Sequence, residues 1–304
     1  MDILARRLFH QLTGNRLRVN CGIFWGAVWA VLKMNTTTDY SNNSLCYRIF
    51  HPIIKEFKKH QLSLYHEPSD DFLKSQWQTS QKSYLWLIYR WGLALCFGVG
   101  VLGSLIQQWN DGTWFIYLTD WGFLLCMYIS WFGAILVTIY HFNPTYFDNK
   151  SKVFKFYWCS HWCVLVVATV ITFMYWLFIY PYDNANASDL YNLWAHGFNS
   201  ILMVLDHMLV AFPTRLMHFV YPLILGLIYA IFSLVYYLAG GTDMYGNPYI
   251  YEILDWNEPG WATLMILGCM LLVVVFSFLL FCLYKLRRFL YNKCCSSSKL
   301  SISA

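Results

Sequence analysis

Six stretches of this chain are apolar for long enough to cross a bilayer, and they constrain its fold more than any motif does. A helix needs about 20 apolar residues to cross the hydrocarbon core. The stretches run over about 83–107, 114–140, 155–180, 190–212, 215–239 and 260–284. The other spanning solution is a closed β-barrel, whose strands alternate in segments of about ten residues. Gly260–Leu286 reads GWATLMILGCMLLVVVFSFLLFCLYKL and does not alternate. The expectation is an all-α membrane protein, a six-helix transmembrane bundle. Only 12% of its residues are charged, against about a quarter in soluble domains. Many of the tryptophans and tyrosines lie near the ends of the runs, where amphipathic rings favour the interface.

Charge placement sets the expected orientation. Of the 21 Lys and Arg, eleven precede the first span and five follow the last. Lys150, Lys152 and Lys155 occupy the second connection and Arg215 the fourth. The first, third and fifth connections hold none, but carry Asp111, Asp183, Asp189, Asp243, Glu252, Asp255 and Glu258. Basic segments stay in the cytosol, so both termini are expected there. Residues 1–82 form a cytosolic N-terminal region with a short apolar segment at 21–32, 83–286 the membrane domain, and 287–304 a cytosolic tail. Lys33 follows the 21–32 segment and no small-residue cleavage site is evident, which argues against a signal peptide. The net charge of +5 is then topological and gives no reason to expect nucleic acid as a partner. All ten cysteines fall in spans or cytosolic segments, so no disulfide framework is implied. Cys294 and Cys295 follow a basic stretch, a placement that suits lipidation but equally suits idle thiols. The sequons at Asn35, Asn42 and Asn149 fall on the cytosolic side, and Asn186 lies close to the membrane.

Polar residues inside spans are costly and usually face the bundle interior. The fourth stretch carries the most: His196, Asn199, Ser200, Met203 and His207 share one helical face, with Asp206 at its edge. A helix–helix interface held by hydrogen bonds is the plain reading, and a site lined by this face is the functional one. Thr119 lies about five residues into the second span and His196 about six into the fourth. Both therefore sit roughly 7–9 Å below the outer boundary at 1.5 Å rise per residue. A hydroxyl and an imidazole at one depth can act as nucleophile and base. Nearer the cytosol, Arg90 and Asp206 also match in depth, which suits a buried ion pair. His161, His207 and His218, with Asp206, offer a weaker alternative as zinc ligands. There is no G-x-S-x-G, H-E-x-x-H or Walker A motif, and no cofactor is expected. Duplicated halves and paired broken spans, the marks of many transporters, are absent as well.

Longer strings carry a family resemblance. DDFLKSQWQ (Asp70–Gln78), YRW (Tyr89–Trp91), WFIYLTDWGFLL (Trp114–Leu125), HGFNSILMVLDHMLVAFPTRLMHFVYPL (His196–Leu223) and the run from Tyr236 through Pro259 resemble the rolling stone family of animals. The resemblance covers about 65–290. It implies a multi-pass membrane protein associated with myoblast fusion and muscle development. The expected location is an integral membrane one, the plasma membrane ahead of the endoplasmic reticulum.

A more distant resemblance bears on chemistry. The androgen-induced family of membrane hydrolases cleaves fatty acid esters of hydroxy fatty acids. Its threonine in a Phe-Leu-Thr-like string is similar to Thr119, its span-opening histidine to His196, and its acidic residue ten positions on to Asp206. That resemblance implies Thr119 as nucleophile and His196 as base; Asn199, one helical turn from His196, is placed to orient the imidazole or hold the oxyanion. Asp206 departs from the family's usual glutamate, and the long N-terminus is extra. Three functions follow as expectations: a fusion protein contacting lipid and an unidentified protein partner, an intramembrane lipid esterase, and a zinc-dependent membrane hydrolase.

Overall fold

The structure is a computed structural model that describes residues 55–109, 111–148, 150–180 and 190–300, with side chains to residue 294. The apolar segment 21–32, the four sequon asparagines except for their sequence, Asp183, Asp189 and the side chain of Cys295 lie outside the described residues. The chain divides into two units, Met1–Lys58 and Lys59–Ala304, and the second holds every span.

Among the described residues the fold is helical, with one isolated bridge between Ser75 and Val210 and no strand. Helix α1 covers Tyr84–Gln108 and starts where the Ser83 side chain accepts the Trp86 amide, one of the first-turn donors a helix leaves open. Gly112, at φ 84°, turns the chain into a separate 3-10 turn at Thr113–Ile116, and α2 covers Leu118–Phe142. The onset at 118 rather than 114 makes Thr119 the second residue of its helix. Asn143 and Pro144 end α2. Helix α3 covers Ser151–Met174 and continues as a π turn at Tyr175–Ile179. Helix α4 runs over 190–209: Leu190–Leu193, a π turn at Trp194–Phe198, then Asn199–Leu209. A 3-10 turn at Leu216–Phe219 leads into α5, Val220–Leu238. Helix α6 covers Pro259–Leu300 and so continues well past residue 284.

Five of these helices are long and apolar enough to cross a membrane: α1, α2, α3 with its π turn, α5 with its 3-10 turn, and α6 to Cys294. Helix α4 is long enough but more polar, because Asn192, His196, Asn199, Ser200, Asp206 and His207 are all on it. Enclosure differs among them. The apolar window of α3 is 56% buried, while those of α5 and α6 are each 22% buried. Hence α3 is the central helix, and α5 and α6 present most of their surface outward, with Leu227, Ile228, Ile231, Leu267 and Leu271 exposed.

The segment before α1 is packed against the helix ends. Phe72 lies between Phe154 and Phe212, each at 5.3 Å between ring centroids. The Trp86 indole donates to the Leu73 carbonyl at 3.1 Å, and Trp77 donates to Met208 at 2.9 Å. Arg215 donates to the carbonyls of Ser63 and Tyr65. These bonds satisfy carbonyls that have no partner within a helix.

Candidate functional site

Three hydroxyls meet at the start of α2. The Leu118 amide donates to the Tyr229 hydroxyl at 3.2 Å, and the Thr119 amide lies 3.4 Å from the Tyr251 hydroxyl. Tyr229 in turn donates to the Ile116 carbonyl at 2.9 Å. The Tyr251 hydroxyl lies close enough to the Thr119 side chain and to Tyr229 to interact electrostatically with both. Burial raises the Tyr251 phenol above its usual range although the Thr119 side chain and amide oppose this, and burial likewise pushes Tyr117 up to about 12. Both phenols therefore remain neutral donors at physiological pH.

Below these hydroxyls lies a cavity of about 130 Å³. Thr119, Tyr229 and Tyr251 border it, and its walls are Val170 and Met174 of α3, Ala230 of α5, and Met265 and Val273 of α6. Ile253 and Leu254 of the loop between α5 and α6 close it from the same side as Tyr251. No charged side chain lines it.

His196 is reached through Tyr175. Each sits on a π turn, and the two rings stack with centroids 3.4 Å apart and planes 7° apart. The Trp176 indole donates to the His196 carbonyl at 2.9 Å. Tyr175 also borders the cavity, whereas His196 does not. Among the described residues no hydrogen bond joins Thr119 to His196, and Nδ1 of His196 has no hydrogen-bond partner. Single π turns occur often at functional sites, and here two of them face each other through Tyr175 and His196.

Asn199 does not hold the imidazole. Its amide donates to the Ala195 carbonyl at 2.6 Å, and its oxygen accepts the Ser200 amide at 2.6 Å and faces the Thr172 hydroxyl. The reason is local. The π turn sends the Asn199 backbone N–H to Trp194, which deprives the Ala195 carbonyl of its usual partner, and the side chain replaces it.

Toward the other end, the structure brings Arg90 and Asp206 together. Arg90 Nη1 donates to Asp206 Oδ1 at 2.7 Å, and both side chains are 1% exposed. The second carboxylate oxygen is 2.9 Å from His161 Nε2. Tyr89 donates to Oδ1 at 3.1 Å, and the second Arg90 nitrogen donates to Tyr157. One carboxylate of α4 thus clasps α1 and α3. The three histidines named as zinc ligands are engaged separately. His161 faces Asp206, His207 faces the Leu280 carbonyl at 3.2 Å, and His218 faces the Ser63 carbonyl at 3.2 Å. Among the described residues no group of three or more such side chains could hold a metal ion.

Tyr175, Tyr229 and Tyr251 escape a reading of the sequence. Each belongs to an aromatic-rich string in which nothing distinguishes it from its neighbours, and only the packing of α2, α3, α5 and the loop gathers them. Cys294 is exposed on α6.

The family described as protein rolling stone matches residues 44–301. Protein rolling stone of Drosophila melanogaster is 37% identical over 234 residues, covering 73% of this chain and 84% of that protein. No solved structure matches the chain.

Proposed function

This chain belongs to the rolling stone family, and from that premise we propose that it acts at the plasma membrane in cell fusion during muscle development. The observation that carries the proposal is similarity sustained over most of both chains, 73% of this one and 84% of the Drosophila protein. In the proposed topology α4 is a sixth span and both termini are cytosolic. Twenty residues at 1.5 Å each give roughly 30 Å, enough to cross. The polar face of α4 is turned inward, with Asn199, Asp206 and His207 almost fully buried, so it does not meet lipid. Basic residues before α1, between α2 and α3, and after α6 fit this sidedness. The partner face is the acidic, aromatic loop between α5 and α6, where Tyr245 is 80% exposed. Depleting the protein from myoblasts lowers the fraction of nuclei in multinucleated cells, and re-expression restores it. Normal fusion without the protein defeats the proposal.

A second reading, hydrolysis of a lipid ester, is supported by Thr119 and Tyr175 bordering one cavity while Tyr175 stacks on His196. In that reading a rearrangement brings His196, which stands outside the cavity behind Tyr175, within reach of Thr119. Thr119 Oγ then attacks the ester carbonyl and passes its proton to the imidazole. The imidazolium would return the proton to the leaving alcohol, and water would then release the acid from the threonine ester. A serine/threonine hydrolase probe should mark wild type and spare Thr119→Ala. Labelling of both proteins alike removes this reading.

A further inference from the structure

The cavity beneath the loop between α5 and α6 has a composition that specifies an occupant. Its walls are almost wholly apolar, built of aliphatic, methionine and cysteine side chains from three spanning helices, and Thr119, Tyr229 and Tyr251 border it at the start of α2. About 130 Å³ is close to the size of an apolar cavity that takes up one benzene ring, room for a segment of a single hydrocarbon chain and not for two side by side.

Charge narrows the occupant further. No lysine or arginine occurs between Arg90 and Lys150, between Lys155 and Arg215, or between Arg215 and Lys285. These three intervals contain every residue lining the cavity. An ionised head group would sit there with no opposite charge, at a cost of several kcal/mol or more. The start of α2 would otherwise attract an anion. Its first two amides, however, already face the hydroxyls of Tyr229 and Tyr251, and Asp120 of the same turn is only 7% exposed. A positive head fares no better, since no carboxylate lines the walls. Hydroxyl and carbonyl groups suit the bordering hydroxyls, because phenols can donate to or accept from either.

We propose that this cavity binds a neutral, single-chain lipid, such as a monoacylglycerol or long-chain alcohol. Its uncharged head bonds to Thr119 and Tyr251, and its chain lies along Val170, Ala230, Met265 and Val273. Tyr251 is carried by the loop. The loop therefore forms the head-group wall, and a bound head keeps it against α2. Binding does not require ester cleavage, so loss of the hydrolase reading leaves this one standing.

The test uses the full chain purified in detergent and a monoacylglycerol with a mid-chain diazirine. Irradiation should place the adduct within peptides spanning 167–175 or 265–273. Unlabelled monoacylglycerol should compete at least tenfold better than an alkyl sulfonate of equal chain length. Tyr251→Phe should weaken that competition about fivefold, the worth of one hydrogen bond. Ala230→Trp fills the cavity and should abolish the adduct while the protein stays monodisperse. If that variant does not fold, competition on the wild type still decides. Equal competition by the sulfonate, adducts confined to the outward faces of α5 and α6, or undiminished labelling of folded Ala230→Trp each overturn the proposal.

Discussion

Asp206 is the residue on which three helices depend. Both of its oxygens are occupied, and its partner Arg90 is almost fully buried. Removing one member of such a pair strands the other charge. Asp206→Ala should therefore destabilise the protein by about 3–5 kcal/mol, read as loss of the folded fraction in a denaturant titration in detergent. Replacing both charges, Arg90→Met with Asp206→Leu, should recover most of that loss, because no buried ion is left unpaired. Gly133 bears on the same clasp. A Cβ there would collide with the Arg90 guanidinium and the Tyr157 hydroxyl, so Gly133→Ala should be destabilising in wild type. Its cost should shrink when Arg90 is already Met, a non-additivity that a double-mutant cycle measures.

Elements are held at their ends by side chains from other elements. The Arg287 guanidinium of α6 donates to the carbonyls of His207 and Phe212, at and beyond the end of α4. A cation at a helix C-terminus also meets the negative end of its dipole. Arg287→Met should raise amide hydrogen exchange in the last turn of α4 while leaving α1 unchanged. The loop between α5 and α6 has its own anchor. Asp243 accepts the amides of Tyr245 and Asn247 at 2.8 Å each, plus the Asn247 side chain. Asp243→Ala should speed exchange at Tyr245 and Asn247 by roughly five- to tenfold, the equivalent of about 1 kcal/mol. The same loosening should weaken the hold of Tyr251 on Thr119.

At the scale of the molecule, sidedness is the central proposal. A tag after Ala304 should stain only in permeabilised cells, and one inserted beside Tyr245 should stain on intact cells. The reverse pattern would place the Arg90–Asp206 clasp at the outer end and the cavity at the cytosolic end. Helices α1, α2, α3, α5 and α6 were all legible as apolar runs, since lipid demands about 20 apolar residues whatever the neighbours are. The polar face of α4 was legible from its 3.6-residue period. The start of α2 was not: Trp114, Phe115 and Ile116 continue the apolar run, and only the turn at Gly112 separates them from the helix. The π turns at Tyr175 and Trp194 were equally hidden, because an inserted residue leaves no mark in composition.

The sequence by itself settled the solvent, the helical class and the inward-facing polar residues, because each follows from the cost of polar groups in hydrocarbon and is paid residue by residue. It also carried the strings that place the chain in its family. The tertiary structure decided which polar groups meet. It put Tyr251 rather than His196 at Thr119, turned Asn199 to a backbone carbonyl, and opened a cavity between α3, α5 and α6. Those outcomes depend on distances between segments far apart in the chain, which side-chain packing fixes and helical periodicity does not encode.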